Sequence, residues 1–157
     1  ENIINRYERI GKIKKTNLRL CALVGKGLTH GFIFDLINKI KSDSPELELI
    51  GAAPGSIKPF LNIEDACNTV LHAIQKKMYG TYNVCPRDNI SVEQVAKMAM
   101  KTLNIHKPIK WRPDLVWGGD NNEIRASNNK LFSHGFDFKY KNSPQAIQAY
   151  LDELKLD

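Results

Sequence analysis

The sequence predicts a domain of the α/β class. Short apolar runs of strand length alternate with segments of helical periodicity along all 157 residues. Hydrophobic residues make up 42% and charged residues 25% of the chain, which is the balance of a folded domain and argues against disorder. No apolar stretch approaches the ~20 residues that a membrane-spanning helix needs. A chain of this length can bury a sizeable core.

The first three elements are predicted to be a helix, a strand and a second helix. The first helix is expected over residues 2–13, where four apolar side chains share one face: Ile3, Ile4, Tyr7 and Ile10. Residues 18–24 are too few for a helix and too apolar for a surface loop, so they predict a buried strand. A glycine-bearing loop follows, and the apolar spacing over residues 32–41 predicts the second helix.

The middle of the chain is predicted to hold three strands and one helix. Residues 47–50, 60–63 and 80–84 are short apolar runs bounded by turn residues. The helix that follows the second of these strands is expected to turn three apolar side chains inward: Val70, Leu71 and Ile74. Glu64 and Asp65 begin this helix and could form an acid–base pair, but the favoured interpretation is that Asp65 caps the helix.

The last third of the chain carries two helix-start signals. Ser91 and Gln94 match a capping box, so we expect a helix to about Leu103, followed by a strand over residues 107–112. Ser143 before a proline predicts another N-cap, with a helix to about residue 154.

Charge and cysteine content narrow the class of protein. The net charge of +6 could indicate nucleic-acid binding, but the basic residues are scattered, so a solvated basic surface is favoured. Three cysteines without a C-x-x-C pair predict buried free thiols and a cytoplasmic protein. The four histidines show no metal-ligand spacing, so no metal site is expected.

Four stretches, in order, resemble the extended short-chain dehydrogenase/reductase family of NAD-dependent nucleotide-sugar epimerases and dehydratases. The first is E-N-I-I-N-R-Y followed by L-R-L-C-A-L-V-G-K-G, and the second is E-L-E-L-I-G-A-A-P-G-S-I-K-P-F-L-N-I-E-D-A. The third is G-T-Y-N-V with the S-V-E-Q helix, and the fourth is W-G-G-D followed by N-K-L-F-S-H-G-F. The resemblance is to the C-terminal half of the family.

The resemblance implies a C-terminal substrate-binding domain with a remnant of the Rossmann sheet. Residues 1–30 would be the last helix and strand of a truncated Rossmann domain, and residues 31–157 the substrate-binding α/β domain. The intact enzyme would use NAD on a UDP-, GDP- or dTDP-linked sugar. A homodimer, or pairing with a missing Rossmann half, is also implied.

The family's site positions carry over to eight residues of this chain. The expected substrate-binding residues are Lys58, Asp120, Trp117, Glu48, Ile50 and Asn62, and the expected cofactor-binding residues are Ala22 and Val24. Several depart from the family pattern. Ala22 stands where the family has Asn, Val24 where it has Tyr, and Lys58 and Trp117 where it has Arg. Plainer interpretations remain open, namely a surface lysine, a turn aspartate and a core tryptophan.

The chemistry of the family has no counterpart in these residues. No G-x-G-x-x-G turn occurs, and no tyrosine has a lysine four positions later. We therefore expect the chain alone to bind no NAD and to have no turnover. The alternative hypothesis is a non-catalytic assembly module or a basic nucleic-acid-binding domain, because a truncated sheet would expose an apolar strand.

Overall fold

The computed structural model describes residues 1–115, 118 and 121–155. Helices and short strands alternate along the chain, in agreement with the predicted α/β class. The helices are α1 (Asn2–Arg9), α2 (Phe32–Lys41), α3 (Ile63–Gln75), α4 (Val92–Leu103), α5 (Asn129–Phe132) and α6 (Ser143–Glu153). The strands are β1 (Thr16–Leu20), β2 (Ala22–Val24), β3 (Leu47–Ile50), β4 (Ile57–Lys58), β5 (Phe60–Asn62), β6 (Gly80–Val84), β7 (Ile90–Ser91) and β8 (Ile109–Arg112).

The segment predicted as one buried strand over residues 18–24 is two strands. β1 pairs in parallel with β6 as far as Leu20 opposite Val84, and β2 pairs in parallel with β5 from Ala22 opposite Phe60. The pairing partner changes from β6 to β5 at Cys21, so the hydrogen-bond ladder is interrupted between β1 and β2. The predicted burial was also wrong for part of the segment. Leu20 is 44% exposed and only Val24 is fully buried, while Leu18, Cys21 and Leu23 are partly buried and pack against the core.

The other strands form two further pairs. β3 runs parallel to β8, and β4 runs antiparallel to β7 with Lys58 opposite Ile90. The chain beyond β8 returns to β4, because the Ile57 N–H donates to the Asn122 carbonyl at 2.8 Å and the Ile124 N–H donates to the Ile57 carbonyl at 3.0 Å. These bonds bring residues 122–124 beside the start of β4.

Two apolar clusters form the core. The larger one joins α2, β3, α4 and α6, and its fully buried members include Ile40, Leu47, Ala96, Ile147 and Leu151. The smaller one lies around β6 and α5 and includes Leu61, Tyr82, Val84, Leu131 and Phe138. β5 contributes to both, because Phe60 belongs to the larger cluster and Leu61 to the smaller.

The predicted inward face of α3 is its exposed face. Val70, Leu71 and Ile74 are 43%, 56% and 69% exposed, and the buried side of the helix carries four smaller residues: Asp65, Ala66, Thr69 and Ala73. Small side chains let the helix approach its neighbours closely, and the two buried polar ones are satisfied by hydrogen bonds. Helical periodicity alone could not reveal which of the two faces packs inward.

Two predicted helix caps were wrong and one was confirmed. Asn62, not Asp65, caps α3, since its Oδ1 accepts from the Glu64 N–H at 2.9 Å. Asn142, not Ser143, caps α6. The Ser143 hydroxyl instead accepts from the Phe60 N–H at 3.0 Å and thereby anchors α6 to β5. The capping box of α4 forms as predicted, with both reciprocal bonds between its serine and glutamine present.

Candidate functional site

A cavity of about 410 Å³ opens at the carboxyl end of β2, and we call it the strand-end cavity. Its walls come from β2, the loop at residues 25–31, the first turn of α2, and the side chains of Phe60 and Ile63. Ligands of α/β proteins bind outside the carboxyl ends of parallel strands, where loops lead into helices. Ala22 and Val24, the expected cofactor-binding residues, both line this cavity.

Two glycines shape the strand-end cavity. A Cβ at Gly25 would lie 2.4 Å from Cγ2 of Ile63, so only glycine lets the loop pass this close to the start of α3. Gly31 has φ of +93° and is the N-cap of α2, where no side chain caps the first turn. The lining is mainly apolar, with Lys26 and His30 as its polar side chains, so most of its wall suits an apolar group.

Asn62, expected to bind substrate, lies beside this cavity in the register position opposite Val24. It is 3% exposed, and its side-chain oxygen is engaged in capping α3. The structure therefore gives Asn62 a structural role, while its contact with substrate stays a prediction.

Lys58 lies at the end of β4, next to a second cavity of about 320 Å³ that we call the arginine pocket. The arginine pocket is lined by Pro59, Pro86, Arg87, Asn89, Glu123 and Arg125, with Cys85 and Ala126 completing it. It forms where β6 ends and β5 begins, beside the returning segment at residues 122–124. This cavity is polar, in contrast to the strand-end cavity.

Arg87 and Arg125 were not singled out in the sequence, although one signal was available for the first. Arg87 follows the end of β6 by three residues, which is a common position for ligand-binding side chains in α/β proteins. Arg125 carries no comparable signal, because it reaches the pocket only through the pairing of its segment with β4.

Glu48 and Ile50 lie on β3 and line neither cavity. Their side chains leave the core, while those of Leu47 and Leu49 enter it. Glu48 pairs with Lys110 at 3.3 Å and with Arg112 at 3.6 Å on the adjacent β8. Hydrogen bonds to Glu46 and Glu48 raise the pKa of Lys110. The outer face of this strand pair is therefore a network of exposed ion pairs.

Glu64 and Asp65 do not act together on an open site. The buried Asp65 carboxylate accepts hydrogen bonds from the backbone N–H groups of Lys139 at 2.7 Å and Tyr140 at 3.0 Å. Glu64 pairs with the Lys139 ammonium at 2.8 Å, and this hydrogen bond lowers the pKa of Glu64. Both carboxylates hold the same segment against α3, which agrees with a structural interpretation of the pair.

The cysteines differ in environment. Burial raises the pKa of the Cys21 thiol to about 12 and also raises the pKa of Cys85. The prediction of buried thiols is wrong for Cys67, which lies exposed on α3, and Cys21 is only partly buried. A thiol with so high a pKa is almost entirely protonated at neutral pH and is a poor nucleophile.

Two predicted substrate-binding residues and two general features of the chain remain to be described. Trp117 and Asp120, expected to bind substrate, lie outside the described residues. Among residues 1–115, 118 and 121–155, no three His, Cys, Asp or Glu side chains group as metal ligands. No helix in the same part of the chain is long and apolar enough to cross a membrane.

Comparison with solved structures places the whole chain on one known fold. A UDP-galactose 4-epimerase matches 99% of this chain with a TM-score of 0.84 at 23% identity, over 50% of its own length. The UDP-glucose 4-epimerase of Thermus thermophilus, solved with NAD, matches 98% with a TM-score of 0.83 at 16% identity, over 50% of its length. The dTDP-glucose 4,6-dehydratase of Bacillus anthracis matches 99% with a TM-score of 0.80 at 16% identity, over 50% of its length.

The chain thus spans about half the length of the solved proteins that it matches. A search of curated protein sequences finds no match. The sequence model of the NAD dependent epimerase/dehydratase family matches residues 1–85, which is more than half of the 157 residues. The chain therefore belongs to the NAD-dependent epimerase/dehydratase family.

Proposed function

We propose that this chain is the substrate-binding part of an NAD-dependent nucleotide-sugar epimerase or dehydratase. The observation that carries the proposal is the match of 98–99% of the chain to one half of enzymes whose names specify UDP- and dTDP-sugars. In this proposal residues 1–30 belong to a Rossmann sheet and residues 31–157 form the substrate domain. The chain supplies recognition, and a nucleotide-binding half completes the enzyme.

In the intact enzyme the strand-end cavity would supply one wall of the NAD site. Its apolar walls, with Ala22, Val24 and Phe60, would hold the nicotinamide ring. These walls offer few hydrogen-bond donors to a diphosphate, and the sequence has no glycine-rich turn that could bind a diphosphate. When bound, NAD would accept and return a hydride. The residues present would position the ring and exclude water from it.

Recognition of the nucleotide-sugar is assigned to polar groups outside that cavity. Lys58 is a cation on β4 and would bind a phosphate oxygen. Asp120 would accept a hydrogen bond from a ribose hydroxyl. Trp117 would stack on a ring, and the backbone around Glu48 and Ile50 would meet the base. Asn62 would support this group from the start of α3.

Calorimetric titration of the 157-residue chain with UDP-glucose, GDP-mannose and dTDP-glucose tests the proposal. One nucleotide should bind in preference to the others, and Lys58→Gln should weaken it about tenfold or more, the loss expected for a charged hydrogen bond. Lys97→Gln, on the exposed face of α4 beside Glu93, is the matched control. Absence of binding to all three sugars, or equal binding by the two variants, would contradict the proposal.

Two further measurements separate this proposal from an active single chain. Incubation with NAD and each sugar should give no stoichiometric NADH absorbance, and a full signal would refute the assignment of the chemistry to another half. The mass of the gene product as translated should be about twice 17.8 kDa. A product of 17.8 kDa would favour the second candidate below.

The second candidate function is that of an assembly module, and the exposed apolar faces of α1 and α3 favour it. α1 buries no residue, and Ile3 and Tyr7 are 77% and 49% exposed. α3 exposes Leu71 and Ile74. Apolar surface of this kind is typical of a protein–protein interface. Sedimentation analysis over a wide concentration range should reveal dimerisation if copies of the chain pair, and a monomer at every concentration would contradict homodimerisation.

A further inference from the structure

The arginine pocket brings two arginine residues from distant parts of the sequence to one cavity. Arg87 comes from the loop after β6, and Arg125 comes from the segment that returns to β4. The lining also includes Glu123, so the charged side chains around the cavity sum to one positive charge. An excess of positive charge in a concave, polar site favours an anionic ligand.

The walls of the arginine pocket are held by contacts that do not involve its ligand-binding groups. The Asn89 side-chain amide donates to the Ile124 carbonyl at 3.0 Å, and the Ile124 N–H donates to the carbonyl of Ile57 at 3.0 Å. The loop after β6 and the returning segment are therefore tied to each other and to β4. Such ties fix the relative position of the two arginine backbones before any ligand arrives.

Each guanidinium is oriented by one neighbour. The Arg87 guanidinium carbon lies over the Phe132 ring at 4.7 Å from its centroid, which is a cation–π contact. Arg125 donates from Nε to Glu123 at 2.7 Å, which uses one of its five N–H donors. The Arg125 side chain is 80% exposed, so its remaining N–H donors are accessible to a ligand at the cavity that both arginines line.

We propose that the arginine pocket binds a phosphoryl group, with Arg87 and Arg125 as its two guanidinium donors. A guanidinium fork matches two phosphate oxygens at once, and two forks from different segments can hold opposite sides of one group. The volume of about 320 Å³ admits a phosphoryl group together with part of the compound that carries it. The inference stands without the proposed function, because inorganic phosphates are sufficient to test it.

The test is a calorimetric titration of the 157-residue chain with inorganic pyrophosphate and with orthophosphate. Pyrophosphate should bind, and Arg87→Gln and Arg125→Gln should each weaken its binding about tenfold or more, as expected for loss of a charged hydrogen bond. Arg9→Gln, at the end of α1 and outside both cavities, removes the same charge and should change the affinity less than twofold. Circular dichroism of all four proteins checks that they are folded.

Three results would overturn the proposal. They are no binding of either ion by the unaltered chain, equal affinity in all four proteins, and a loss in Arg9→Gln as large as in the pocket variants. The last result would mean that net charge alone attracts the anion. If both glutamine variants fail to fold, Arg87→Lys and Arg125→Lys replace them. These lysine variants keep the charge but lose the guanidinium fork, so unchanged pyrophosphate affinity in both would also overturn the proposal.

A competition arm identifies the source of the phosphoryl group. If a nucleotide-sugar displaces pyrophosphate and loses affinity in the same two variants, the pocket binds the diphosphate of that sugar. If a nucleotide-sugar binds equally well to the variants while pyrophosphate does not, the pocket serves a separate phosphorylated compound. Both outcomes support a phosphoryl site, and neither depends on Lys58→Gln, which tests the proposed function.

Discussion

The neighbouring carboxylates Glu64 and Asp65 provide the sharpest test of how this fold is held together. Both contact the segment at residues 139–140, but by different means. Asp65 is 1% exposed and accepts two backbone N–H bonds, at 2.7 and 3.0 Å. Glu64 makes its ion pair with Lys139 at the surface, where their side chains are 47% and 56% exposed. The two residues therefore separate buried from solvent-screened electrostatics within one turn of helix.

The structure sets the magnitude of the expected losses. A hydrogen bond to a charged group contributes about 1.5–3 kcal/mol. Asp65→Ala removes two, and water that enters the vacated site recovers part of the loss, so the free energy of unfolding should fall by about 3 kcal/mol. Glu64→Ala should cost far less, because an exposed ion pair is screened and each partner remains hydrated when the other is lost.

Urea unfolding followed by far-ultraviolet circular dichroism measures both losses. With an m-value of about 2 kcal/mol/M, the midpoint of Asp65→Ala should fall by about 1.5 M. Asp65→Asn is the isosteric variant and should lie between Asp65→Ala and the unaltered chain, because it retains one acceptor oxygen. It also remains informative if the alanine variant fails to fold, since total stabilities are only about 5–15 kcal/mol. Equal losses for Asp65→Ala and Glu64→Ala would refute the assignment of Asp65 as a buried anchor.

The remaining predictions concern thiol reactivity and glycine geometry. Exposed Cys67 should react rapidly with a maleimide at pH 8. Cys21 should react far more slowly, because it is partly buried and, with a pKa of about 12, only about one thiol in ten thousand is deprotonated at this pH. Peptide mass spectrometry distinguishes the two sites, and equal labelling rates would contradict the raised pKa of Cys21. Gly55→Ala should lower the melting temperature more than Gly51→Ala. Both glycines have positive φ, at +76° and +90°, so alanine strains the backbone at either position, but only at Gly55 would the added Cβ meet Val92, at 2.6 Å. A calorimetric scan of the two variants compares them, and equal shifts would mean that backbone strain alone decides the cost.

Local signals located most elements of the fold. The predicted helix over residues 32–41 and the predicted strands over residues 47–50 and 80–84 coincide with α2, β3 and β6. Their signals are apolar spacing and turn residues, which act over a few neighbouring positions. The capping box of α4 is equally local, because its two side chains bond within one turn.

Errors arose where the outcome depended on a partner distant in sequence. Val70, Leu71 and Ile74 form a convincing inner face for α3, yet they are exposed because the helix packs through small residues on its other side. The break between β1 and β2 follows from where two partner strands end and begin, and nothing within residues 18–24 indicates it.

The candidate site divides in the same way. Sequence resemblance singled out Ala22 and Val24 as expected cofactor-binding residues. Both line the strand-end cavity because one short strand carries them, and their contact with a cofactor stays a prediction. It did not identify Arg87 and Arg125, which meet only in the folded chain.

The α/β class, the family and most element positions could be predicted from residue spacing and from motifs that can be read along the chain. The buried face of α3, the role of Asp65 as anchor of the segment at residues 139–140, and the pocket shared by two arginines became known from the folded chain alone. Burial and convergence of this kind depend on contacts between residues far apart in sequence. The pairing of residues 122–124 with β4, which carries Arg125 to the pocket, is a contact of that kind.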